Sequence, residues 1–88
     1  MPLFFFDIHD NDEVQRDAEG MALEDTLAAR QEAVRALTSL GFHEPHRNVE
    51  QRTLSVVVRD HDGVPGYSAT LSFKGLWMSR GTQDGPPP

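Results

Sequence analysis

The sequence contains no cysteine, so disulfides and thiolate metal sites are excluded and a reducing compartment fits. Basic residues are scarce as well: 8 Lys and Arg stand against 14 Asp and Glu, a formal net charge of −6. Repulsion from phosphates argues against a general nucleic-acid binder, and an acidic surface suits solubility or a basic partner. Long hydrophobic runs are missing too. The apolar run Leu3 to Phe6 is cut by Asp7 and is too short for a membrane span or a signal-peptide core. The cytoplasm is the default expectation, with no membrane association. A chain of 88 residues makes one domain with one compact core, without room for a deep cofactor cavity.

What is present is alternation. Leu3 to His9 reads as a strand, with Phe4, Phe6 and Ile8 on the core face and Leu3, Phe5, Asp7 and His9 on the other. Asp10-Asn11-Asp12-Glu13 is a turn, because Asx residues tolerate left-handed backbone. Val14 to Asp17 follows as a short, charged edge strand, closed by a second turn over Asp17-Ala18-Glu19-Gly20. A helix starts at the N-cap Asp25, with Glu24 beside its positive end. Its buried stripe is Ala29, Ala33, Ala36, Leu37 and Leu40. Gly41 is expected to stop it, with Phe42 packing back on Leu37. After a polar connection, His43 to Gln51, the clearest strand runs from Thr53 to Asp60. Its core face is Leu54, Val56 and Val58; Ser55, Val57 and Arg59 point the other way. Asp62-Gly63 is a strong hairpin signal, since both positions accept positive φ. The last strand, about Tyr67 to Lys74, turns Tyr67, Ala69, Leu71 and Phe73 to the core and Ser68, Thr70, Ser72 and Lys74 to water. Pro65 and Gly66 mark it as an edge.

These elements assemble into an α+β fold of two layers, ββαββ: a four-stranded antiparallel sheet with one helix on one face. The most apolar strands, the first and third, belong in the centre, which gives the order 2-1-3-4, and the crossover between the second and third is expected to be right-handed. Residues 1–78 form the domain; the Gly- and Pro-rich residues 79–88 are expected to be a disordered tail.

The opening Met1-Pro2-Leu3-Phe4-Phe5-Phe6-Asp7-Ile8 resembles that of a family of short bacterial proteins of unknown function, which reads M-P-x-[FY]-[FY]-F-[DH]-[IV]. The resemblance continues in Asp17-x-Glu19-Gly20-x-x-Leu23, in Asp25-x-x-Ala28-Ala29-Arg30-x-Glu32-Ala33 and in Val58-Arg59-Asp60-x-Asp62-Gly63. It spans most of residues 1 to 73. It implies no catalytic or binding residue, because the family is defined without a function. Each motif also has a structural reason: core phenylalanines, turn glycines, a helix cap and helix–sheet alanines.

Little in the chain points to chemistry. His43-x-x-His46, with His9 and Asp10 at the same pole, is the most metal-like grouping, and a polar loop explains it as well. The acidic stretch from Asp7 to Glu19 lacks the central glycine and closing glutamate of a calcium loop and reads as a solvated turn and edge. No nucleophile elbow or phosphate-cradling loop is present, so no enzyme and no cofactor are expected. The remaining candidate is the sheet face without a helix, around Phe5, Val57, Arg59 and Thr70, or the edge of the last strand. Either suits a protein partner or a homodimer. The same face, with one aromatic and two basic residues, is the basis of a rival reading as a weak single-stranded nucleic-acid binder. Leu27 and Val34, on the flank of the helix, are a second apolar candidate, with a wide helix–sheet contact as the plainer reading.

Overall fold

The computed structural model describes residues 1–43 and 51–78. The side chains of Phe42 and His43, residue His46 and the tail 79–88 lie outside that description, as do the expectations placed on them. The elements are β1 (Leu3–Asp10), β2 (Glu13–Gln15), β3 (Met21–Ala22), α1 (Thr26–His43), β4 (Gln51–Arg59) and β5 (Pro65–Lys74). The sheet runs β2-β1-β4-β5, all antiparallel, with α1 on one face. This is the expected α+β architecture with one addition. The two-residue β3 pairs with Leu3 and Phe4 on the same edge of β1 that β2 occupies further along. A two-residue strand carries no periodicity, which is why alternation does not reveal it.

The core is formed by Phe4 of β1, Leu54, Val56 and Val58 of β4, and Ala29, Ala33 and Leu37 of α1. Small helix residues facing large sheet residues let the two layers approach closely. The helix packs mainly on β4 and β5. Phe6 and Ile8 therefore lie on the core face but only half covered. Asp25 caps the helix as expected, accepting the Ala28 N–H at 2.9 Å.

The C-terminal end differs from expectation. Gly41 does not stop α1, which continues to His43. A Cβ at Gly41 would stand 2.7 Å from Leu71 Cδ2, so the missing side chain serves a close helix–strand approach. The β4–β5 turn differs too: only Gly63 takes positive φ (82°), and Asp60 organises the loop by accepting the N–H groups of Asp62 and Val64 on its carboxylate. Leu71 and Phe73 sit on the helix side of β5 yet remain 42% and 45% exposed, because β5 is the outer strand. Leu27 and Val34 are exposed as well, so the wide helix–sheet contact does not form.

Phe4 is the largest buried aromatic of this core. Phe4→Ala is expected to lower the free energy of unfolding by about 3–5 kcal/mol. Phe6→Ala, at a half-covered position, is expected to cost clearly less. Urea denaturation of both variants checks this, and equal losses would contradict the helix placement.

Candidate functional site

The alternation of β1 puts Asp7 on the sheet face away from the helix, where water is the usual neighbour. It is nevertheless buried, and so is Arg59. Asp7 lies opposite Val57, and Arg59 is the next same-face residue along β4. The guanidinium bridges the diagonal, with Nε donating to Asp7 Oδ2 at 2.7 Å and the terminal nitrogen to Oδ1 at 3.0 Å. The same guanidinium lies 4.9 Å from the centroid of the Phe5 ring.

The turn after β2 closes over this pair. Asp17 donates its N–H to Asp7 Oδ1, and its carbonyl accepts from Arg59, each at 3.0 Å. Its carboxylate accepts the N–H of Phe6 from β1 and the N–H groups of Glu19 and Gly20 from its own turn. Phe6 stands where β2 has ended and β3 has not begun, so Asp17 fills a gap in the ladder. Gly20 has φ 76°, and a Cβ there would stand 3.0 Å from both the Phe4 carbonyl oxygen and the Phe5 ring. Glycine is required for both conformation and space.

A second Asp–Arg pair lies on the helix side of the same two strands. Arg52 Nε donates to Asp10 Oδ1 at 3.1 Å, and a terminal nitrogen donates to Oδ2 at 2.7 Å. Asp10 is opposite Leu54, so this pair is also diagonal. Arg52 is a functional-looking residue that the sequence reading missed. Its signal is its place in the series 52, 54, 56, 58, which shares a face with Asp10 at the end of 4, 6, 8, 10.

These contacts reorganise the expected site. Asp7, Asp10 and Asp17 are partners in an ion-pair scaffold, and the exposed remainder of the acidic stretch is Asp12, Glu13 and Glu19. Arg59 is buried and engaged, so it is not a free cation on the open face. Phe5 is half-buried under Gly20 and Arg59, which removes the exposed aromatic on which nucleic-acid stacking rested. Val57 is half-buried, and Thr70 is exposed with its hydroxyl 2.9 Å from that of Ser55. His9 and Asp10 face opposite sides of β1, and Asp10 is taken by Arg52. Among the described residues, no group of three or more His, Asp or Glu is placed to hold a metal ion.

Among the described residues, hollows of about 480 and 430 Å³ lie on the β1–β2 side, both lined by Ile8 and Gln15, and the outer flank of β5 is open as well. A groove of about 290 Å³ runs there between α1 and the sheet, with Thr38, Gly41, Leu54, Leu71 and Phe73 among its walls. The sequence profile of a domain of unknown function, DUF6894, matches residues 3–72, from the start of β1 into β5. The chain belongs to this family. Curated proteins and solved structures give no match. The DUF6894 match covers both Asp–Arg pairs, Asp17 and Gly20, and it ends beside the groove. No helix among the described residues is long and apolar enough to cross a membrane.

The hydrogen bonds from Arg59 hold the Asp7 carboxyl below its ordinary value, against the opposing effect of burial. Arg52 does the same for Asp10. For Asp17 the largest single influence is burial, which pushes the carboxyl up; the N–H groups of Phe6, Gly20 and Glu19 together outweigh it and leave it lowered. A carboxylate with a folded pKa below its unfolded value binds more protons when unfolded, so stability rises with pH through that window. Stability is expected to be fully present above the ordinary value of 3.8 and to fall as pH drops below it. Asp7→Ala leaves Arg59 without its carboxylate and is expected to cost about 3 kcal/mol at neutral pH and to flatten the acid limb. Thermal unfolding between pH 7 and pH 2 checks both statements; an unchanged acid limb in the variant would contradict them.

Proposed function

We propose that this domain is a non-enzymatic protein-interaction module that works by strand addition at the edge of β5. The observation that carries the reading is the unequal treatment of the two sheet edges. The β1 edge is covered by β2 and β3, and the gap between them is closed by the Asp17 carboxylate. Short strands and charged residues such as Glu13 blunt what remains. The β5 edge is ten residues long, and no residue from Gly66 to Phe73 carries a charge. An edge of this kind offers main-chain hydrogen bonds to an added strand and places apolar side chains for its alternate residues.

Which backbone groups face outward follows from the ladder. Phe6 sends its N–H away from β4, and Thr53 exchanges N–H and C=O bonds with Asn11 on the β1 side. Alternation along β4 and β5 then turns the backbone groups of Tyr67, Ala69, Leu71 and Phe73 toward β4, and those of Ser68, Thr70 and Ser72 outward.

The test uses the ¹⁵N-labelled full chain and a blocked peptide of alternating threonine and valine flanked by lysines. Binding is expected to perturb and protect the amides of Ser68, Thr70 and Ser72, with smaller effects at Leu71 and Phe73. Perturbation centred on Phe5 and Val57 instead, or none at millimolar peptide with the labelled chain dilute enough to be monomeric, would overturn the edge as the site.

A further inference from the structure

We infer that the strand added to β5 is β5 of a second copy, joined about a two-fold axis through Thr70, which makes one continuous sheet across a homodimer; this rests on the edge reading above. Three features select a second copy. The first is the extent of the regular ladder. A bulge interrupts β5 at its start, where Val58 pairs with Tyr67 but Arg59 with Pro65, and Lys74 ends it. The regular, uncharged stretch between these limits is Tyr67 to Phe73, and its midpoint is Thr70. The outward backbone groups at Ser68, Thr70 and Ser72 are symmetric about that midpoint, so Thr70 meets Thr70 and Ser68 meets Ser72. Each such pair exchanges two hydrogen bonds, about six in total.

The second feature is chemical. A two-fold axis perpendicular to the sheet keeps like faces together. On the open face, hydroxyl meets hydroxyl, the arrangement already formed inside the chain by Ser55 and Thr70. On the helix face, the exposed Phe73 is placed opposite the second copy's Tyr67, and Leu71 opposite its Ala69. Leu71 and Phe73 keep 42% and 45% of their surface exposed in the single chain, and the pairing covers part of it. An aromatic cross-strand pair at each end adds to the register preference.

The third feature is electrostatic. Each copy carries a net charge of −6, which opposes association. Among the described residues the acidic side chains lie in β1, β2, their turns, the segment leading into the helix, the helix itself and the Asp60–Asp62 loop, and none lies in β5. In the proposed register Lys74 faces Gly66, so no like charges meet at the junction.

Sedimentation equilibrium of the full chain, from micromolar to millimolar, reads the proposal directly. The wild type is expected to associate reversibly to a dimer. Ser68→Lys combined with Ser72→Lys sets two like charges opposite each other at both ends of the register and is expected to weaken association at least about tenfold. It does so although it lowers the overall negative charge, so a general charge effect would act in the opposite direction. Ser68→Glu combined with Ser72→Lys sets opposite charges together and is expected to restore the dimer. Both positions are solvent-exposed, and circular dichroism confirms that each variant is folded. A wild type that stays monomeric at millimolar concentration, or a double-lysine variant that associates like the wild type, overturns the homodimer. If that monomer still binds the threonine–valine peptide at Ser68 to Ser72, only the self-pairing fails. If it binds neither, the edge reading fails with it.

Discussion

The structure depends on one buried carboxylate. Asp7 sits in the middle of β1 on the face that has no helix, and Arg59 neutralises it from the neighbouring strand. A buried pair of this kind contributes little net stability compared with an apolar pair, but leaving either partner alone costs several kcal/mol. Its value here is register. A slip of β4 by one residue would carry Arg59 to the opposite face and leave Asp7 buried and unpaired. The Asp10–Arg52 pair applies the same constraint from the helix side. Two diagonal pairs on opposite faces of one strand pair admit a single alignment of β1 with β4.

The ion pair also explains the irregular edge beside it. Arg59 needs a further acceptor, and the Asp17 carbonyl supplies one. To reach it, the chain must leave the β1 ladder after Gln15 and return to it at Met21. The ladder donor exposed by this excursion, the Phe6 N–H, is taken by the Asp17 carboxylate. Gly20 then turns the chain back under Phe5 in a conformation and a space closed to other residues. The split of the edge strand into β2 and β3 is thus a consequence of satisfying a buried guanidinium.

Residues with strong local physics were legible in the sequence. The strands β1, β4 and β5, the Asp25 cap and the alanine stripe follow from alternation, capping and helical spacing. Membership of a family of unknown function was legible too. What escaped were features set by partners far along the chain. Asp7 and Arg59 are 52 residues apart, and each alone reads as a solvated charge. Arg52 fell between the polar connection and the strand, assigned to neither, because its Asp10 partner is 42 residues away. Gly41 carried the local signature of a helix stop, but its role is set by Leu71 on another strand. Periodicity assigned Leu71 and Phe73 to the core because it reports a face and not how far the helix covers that face.

That last distinction moves the functional emphasis from the face of the sheet to its edge. In a two-layer domain the bare sheet face is the natural place to look for a binding surface. Here its most recognisable groups serve the fold: Arg59 holds Asp7, Phe5 packs under Gly20 and Arg59, and Ser55 bonds to Thr70. A group engaged in this way must break an existing contact before it meets a ligand, and that loss subtracts from any affinity gained. The outward backbone groups of Ser68, Thr70 and Ser72 meet no strand among the described residues, so pairing there removes none of the contacts that hold the sheet together. The ion-pair scaffold that ties up the face and seals one edge thus leaves the opposite edge as the surface where binding costs the fold least.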